Sequence, residues 1–218
     1  MAARVLAACL LVQGCSFTAS RLDDIPQDSD LAGAVADGIL AGSLTVQNNA
    51  WNDDAFFIVR RLSDGRQFRL EVPPPRTSLW SWSRPPNGLE LPGGRAFAAR
   101  LRPGEYELTN FAIHAGWWLP PFSPAPRFRV APGRMAYLGE LSVEYCIRHM
   151  YANQSGIAGG QLRLAAEQDR DLALLGRRYR LDPGMPIEPA GLDADQLAAA
   201  GKAFANGCAC QKSCMLWR

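Results

Sequence analysis

Two histidines, His114 and His149, and six cysteines, at positions 9, 15, 146, 208, 210 and 214, are the groups from which this 218-residue chain could build nucleophilic or metal chemistry. Two imidazoles leave no room for a three-histidine metal centre, and a serine hydrolase would have to recruit one of them as its general base. A G-x-S-x-G nucleophile elbow is absent, and Gln154-Ser155-Gly156-Ile157 reads as a glycine-rich hairpin connection. Copper is the sharpest metal reading, because Cys146-Ile147-Arg148-His149-Met150 follows His114 and blue-copper sites combine two His, a Cys and an axial Met. Met150 directly follows His149, however, without the spacer that would carry a thioether round to an axial position. The plainer reading is a strand end with a disulfide-bonded Cys146.

Cys208-Ala209-Cys210-Gln211-Lys212-Ser213-Cys214 offers three thiols to a soft ion such as Cu(I) if they are reduced. Tetrahedral zinc would need a fourth ligand and the usual paired C-x₂-C spacing. Aromatic residues form a different kind of candidate. Trp80 and Trp82 alternate beside proline-rich stretches, and Trp117-Trp118 precede Leu119-Pro120-Pro121-Phe122. Adjacent residues on a strand face opposite ways, so these rings are candidates for a surface that binds a glycan or a protein partner. The alternative is that they cap the ends of a core. No paired carboxylates and no phosphate-cradling loop stand out, and no cofactor is expected.

The first fifteen residues carry an address. Arg4, a short apolar run from Val5 to Val12, and Gly14 ahead of Cys15 form Leu11-Val12-Gln13-Gly14-Cys15, the pattern of a lipobox whose cysteine is acylated as the signal is cut. Leu6-Ala7-Ala8-Cys9 is a second match, with almost no apolar run before it, so Cys15 is the expected lipidation site. The run is too short to span a bilayer. Similarity to Gram-negative lipoproteins implies acyl chains on Cys15. Ser16 rather than Asp follows it, which places the default address at the periplasmic face of the outer membrane.

In that oxidising compartment the four cysteines left after cleavage are read first as disulfides. Four cysteines allow three pairings; a Cys208 to Cys210 bridge closes a very tight ring, so Cys146 is expected to bond one of Cys208, Cys210 and Cys214. Closing so long a loop is worth about 4 kcal/mol in the chain-entropy description. Lys plus Arg number 23 against 21 Asp plus Glu, and the charges are scattered. Without a basic stripe, nucleic acid is not a partner.

Four segments follow: residues 1–14 as signal, 15–37 as a polar flexible tether, 38–165 as a β-sandwich domain, and 166–218 as C-terminal helices with a Cys-rich tail. Short β-type runs over Ile39 to Val46, Ala55 to Leu62, Gln67 to Val72, Ala96 to Leu101, Tyr106 to His114, Arg127 to Val130, Met135 to Tyr145 and Gln161 to Leu164 are separated by Gly, Pro and Asn turns. Inward alternation is read at Phe68, Leu70 and Val72, and at Tyr106, Leu108 and Asn110. Helical spacing appears only in Glu167 to Tyr179, through Leu172, Leu175 and Tyr179, and in Asp193 to Ala205, with Asp193 as N-cap. Leu181 to Gly191 is expected to cross the surface without regular structure. The fold class is therefore mainly β, an antiparallel sandwich with a short helical extension.

Leu101-Arg102-Pro103-Gly104-Glu105-Tyr106-Glu107-Leu108 resembles the L-x-P-G-x-Y-x-L turn of transthyretin-like, or carboxypeptidase-regulatory-like, sandwich domains, and a related turn recurs from Val130 to Gly139. The pair is similar to proteobacterial lipoproteins in which such a domain precedes a short helical part. The resemblance implies a scaffold and a compartment but no reaction. The leading expectation is a membrane-tethered, non-enzymatic binding or structural module, with envelope copper handling and hydrolysis as alternatives.

Overall fold

The computed structural model describes residues 23–26, 31, 36–47, 55–72, 89–113, 117–118, 121–150, 154–182, 184–193 and 195–199. In chain order the elements are β1 (Asp23–Asp24), β2 (Gly38–Gln47), β3 (Ala55–Arg61), β4 (Gln67–Val72), β5 (Glu90–Leu91), β6 (Gly94–Leu101) and β7 (Gly104–Ile113). They continue with β8 (Trp117–Trp118), β9 (Arg127–Val130), β10 (Met135–Met150), β11 (Gln154–Ala165), α1 (Gln168–Arg178) and β12 (Ile187–Pro189). Two sheets result. One runs β1-β4-β3-β7-β8, with β9 also on β7; the other runs β11-β10-β2-β6-β5, with β12 also on β10. Pairing is antiparallel except for β1 with β4, β2 with β10 and β10 with β12.

Period-two alternation explains the sandwich. Leu40, Leu44, Phe97, Ala99 and Leu138 of one sheet meet Phe57, Val59, Leu70, Leu108 and Phe128 of the other in a single buried cluster. Each of the Leu, Val and Phe side chains contributes about 1.5–3 kcal/mol when withdrawn from water. The second sheet is also covered on its outer face. There Ile39, Ala41, Ala96, Ala98 and Met135 lie under Leu175 of α1, and the alanines allow the helix to approach closely. Both faces of β6 are consequently apolar, which removes alternation from Ala96 to Ala99.

Two bulges reset which residues face inward. Between β7 and β3 the register jumps from Asn110 opposite Ile58 to Leu108 opposite Val59, so Thr109 is the extra residue. Inward alternation therefore passes from Leu108 to Phe111, whose ring centroid lies 5.0 Å from that of Phe57, and not to Asn110 as expected. In β10 the register against β2 shifts between Tyr137 and Glu140, at Gly139 with φ +92°. A Cβ there would come within 2.8 Å of Leu164 Cδ1 and 3.0 Å of Ala165 O, which glycine alone avoids.

Three further expectations are corrected. The 15–37 tether is part of the fold where it is described: β1 adds to β4, Ile25 N donates to Arg69 O, and Ile25 and Leu31 are both buried. Single apolar residues in a polar stretch are enough to dock an edge strand. Leu181 to Gly191 contains β12, which pairs with Met135 to Tyr137 because β11, whose pairing with β10 begins at Glu140, leaves that stretch of the edge open opposite β2. Gln154-Ser155-Gly156-Ile157 is strand, not loop, since it opens β11 opposite Ile147 to Met150. The second helix is described over residues 195–199; Asp193 Oδ1 accepts from Asp195 N at 2.8 Å, the N-cap expected.

Candidate functional site

The densest set of interacting polar side chains lies between α1 and the outer face of the second sheet. Asp171 and Leu175, one turn apart, are the buried residues of α1. Asp171 is fully buried, and its Oδ2 accepts from Ser43 Oγ of β2 at 2.7 Å and from Tyr137 Oη of β10 at 2.8 Å. Its Oδ1 accepts from Arg170 Nε at 3.0 Å and Nη2 at 2.7 Å. Arg170 also donates from Nη1 to Glu140 Oε2 at 3.1 Å and from Nη2 to Ser43 Oγ at 3.0 Å. Thr45 Oγ1 closes the set by donating to Glu140 Oε1 at 2.7 Å. The Gly139 bulge makes this possible, because residues three apart on a regular strand face opposite sides, whereas here Tyr137 and Glu140 both meet the helix.

Electrostatics hold Tyr137 and Arg170 in one protonation state each. Burial raises the Tyr137 phenol far above its ordinary range, and the hydrogen bond to Asp171 raises it further, so it remains a neutral donor. For Arg170 burial acts to lower the pKa, but the hydrogen bonds to Asp171 and Glu140 more than reverse it. A serine at 2.7 Å from a carboxylate has the look of a catalytic pair. Ser43 is nevertheless 0% exposed, and among the described residues no imidazole joins its network, so a substrate carbonyl has no access to its hydroxyl. What the arrangement does chemically is clasp α1 to the sheet.

A second cluster surrounds the turn motif. Tyr106 is fully buried, stacks on Phe128 with centroids 5.4 Å apart, and donates from Oη to Arg102 O at 2.7 Å. That bond to the backbone four residues upstream is a tyrosine corner. In the related turn at Val130 to Gly139 the tyrosine is displaced, and Tyr137 serves the helix clasp instead. Beside the corner, the Arg61 guanidinium holds the Asp64 carboxyl down at about 2. On the outer face of the first sheet Arg60 Nε donates to the buried Glu107 at 2.6 Å. A concavity of about 350 Å³ lies over Arg129, Ala131, Arg134, Ala136, Glu188 and Pro189, where Arg134 pairs with Glu188.

Of the residues singled out from sequence, Cys15, Trp80, Trp82, His114, Cys208, Cys210 and Cys214 lie outside the described residues. Trp117 and Trp118 form β8, opposite Ile113 and Ala112 at the edge of the first sheet. Cys146 and His149 lie on β10, opposite Gly159 and Ser155. The side chains of these four are likewise outside the description. Among the described residues no three His, Cys, Asp or Glu side chains cluster to hold a metal. The Asp171 clasp was missed in the sequence, although a signal existed: a carboxylate four residues before Leu175 sits on the apolar stripe of the helix.

No family model matches the chain, and no curated protein matches it. Among solved structures a leucine-rich repeat protein from Bacteroides thetaiotaomicron aligns with 51% of this chain and 14% of its own, at 11% identity and a TM-score of 0.28. A likeness that faint carries no argument.

Proposed function

We propose that this chain is a non-enzymatic envelope lipoprotein, acylated at Cys15 and held at the periplasmic face of the outer membrane as a binding or structural module. The observation that carries the reading is the lipobox Leu11-Val12-Gln13-Gly14-Cys15 set eight residues ahead of Asp23, where β1 begins. Acyl chains contribute about 0.8 kcal/mol per buried CH₂, so several together anchor a protein firmly. Support for a non-enzymatic role comes from the burial of Ser43 and Asp171 against α1 instead of in a cleft. The tyrosine corner at Tyr106 is in keeping with a transthyretin-like scaffold. In the same reading Cys146 bonds one of Cys208, Cys210 and Cys214, and Trp80, Trp82, Trp117 and Trp118 are candidates for the binding surface.

Labelled palmitate supplied to cells should enter the full chain, and the protein should fractionate with outer membrane. Cys15→Ser should abolish both incorporation and membrane retention. Undiminished retention of that variant, or recovery of the wild-type chain in the cytosol with all thiols free, overturns the reading.

A further inference from the structure

The turns at one end of the sandwich gather where the chain enters it. β1 starts with Asp23 opposite Phe68, near the start of β4, and Arg66 Nε donates to Asp23 Oδ2 at 2.6 Å. The turns at 62–66, 102–103 and 131–134 share this end, because Arg61 pairs with Tyr106, Gly104 with Val130, and Gly38 with Leu101. β12 joins it with Ile187 opposite Met135. The exposed large apolar side chains among the described residues, Leu62 at 37% and Ile187 at 38%, are both here. Arg102 is exposed beside them without an acidic partner among the described residues, while Arg66 and Arg134 form exposed pairs with Asp23 and Glu188.

From this we infer that the end carrying Leu62, Ile187, Arg102, Arg66 and Arg134 docks on the phospholipid headgroup layer. The inference rests on acylation of Cys15. Asp23 lies eight residues beyond that cysteine, a distance of at most about 28 Å when fully extended. β10 has 16 residues, and at about 3.3 Å each spans about 50 Å. A body standing on its entry end keeps the far end of β10 beyond the reach of the anchor. The short connection also gives the entry end a high effective concentration at the bilayer, so weak contacts suffice to orient it. The chemistry fits: exposed aliphatic side chains enter the headgroup boundary, and guanidinium groups take phosphate oxygens in pairs of hydrogen bonds. Arg66 and Arg134 exchange a carboxylate for a phosphate at their exposed pairs.

Photocrosslinking on the lipidated full chain tests this. p-Benzoylphenylalanine is placed at Leu62, at Ile187, and at Pro92, an exposed turn residue between β5 and β6 at the opposite end. Each protein is reconstituted in vesicles of phosphatidylethanolamine and phosphatidylglycerol, irradiated, and weighed intact. Lipid adducts at positions 62 and 187 should exceed those at 92 at least tenfold. Equal yields at the three sites, or adducts to protein in place of lipid at 62 and 187, overturn the docking while leaving the anchor intact. An intact mass without acyl chains on Cys15 removes the anchor itself, and the docking inference with it.

Discussion

Replacing Asp171 by alanine removes the acceptor of four hydrogen bonds, from Ser43 Oγ at 2.7 Å, Tyr137 Oη at 2.8 Å, and Arg170 Nε at 3.0 Å and Nη2 at 2.7 Å. Taking one partner from a buried charged pair costs about 3–5 kcal/mol, because the groups left behind stay desolvated. The lower end applies here: the Arg170 side chain is 36% exposed and keeps Glu140 at 3.1 Å. A loss of about 3 kcal/mol corresponds to about 6–12 °C in Tm for a chain of this size. Tyr137→Phe retains the ring and removes one hydrogen bond to the carboxylate, for about 2 kcal/mol. The informative variant is the triple one, Ser43→Ala, Tyr137→Phe and Asp171→Leu. It strands no hydroxyl, and apolar replacement of a buried polar set is often close to neutral. Urea unfolding of the full chain carrying Cys15→Ser, followed by circular dichroism, reads all three. The triple variant should be more stable than Asp171→Ala alone. A change of less than about 1 kcal/mol for Asp171→Ala, or a triple variant no more stable than Asp171→Ala, refutes the clasp.

Two other outcomes follow from the same geometry. Burial raises the Tyr137 and Tyr106 phenols in the folded chain, whereas in the unfolded chain they ionise near 10. The folded state therefore keeps its protons longer: stability is fully present below about pH 10 and is lost as pH climbs above it. Urea midpoints should hold from pH 7 to about 9.5 and then fall, with Tyr137→Phe flattening the alkaline limb; an unchanged limb in that variant contradicts the assignment. Gly139→Ala places a Cβ at 2.8 Å from Leu164 Cδ1 with φ +92°, whereas Gly65, at φ +70°, has nothing within 4 Å. Left-handed backbone alone costs alanine about 1–2 kcal/mol, so Gly65→Ala should lose about that much and Gly139→Ala more, when thermal melts of the two are compared.

Strands were legible wherever one face alone met the core, as at Gln67–Val72 and Arg127–Val130, whose bounds match the expected runs. A period of two is then written directly in the side chains. β6 had its start misjudged because both faces are covered and Gly94 gives no hydrophobic signal. β1 and β12 were missed since strands of two or three residues carry too little pattern, and their pairing is decided by which edges lie open nearby.

Thr109 and Gly139 mark a different limit. A bulge is one residue of mismatch between two strands, and it exists only in their pairing, so no single run of residues displays it. The clasp sits between these cases. Asp171 on an apolar stripe demands a buried partner, because an unpaired carboxylate under a helix costs far more than helix packing returns. Ser43 and Tyr137 are polar residues set in the apolar stretches Ile39 to Leu44 and Met135 to Leu138, and each separately needs the same thing. Three unmet needs in three segments, each with a donor or acceptor the others lack, are best satisfied together, and that placement docks α1 on the face of β2 and β10 where the structure has it.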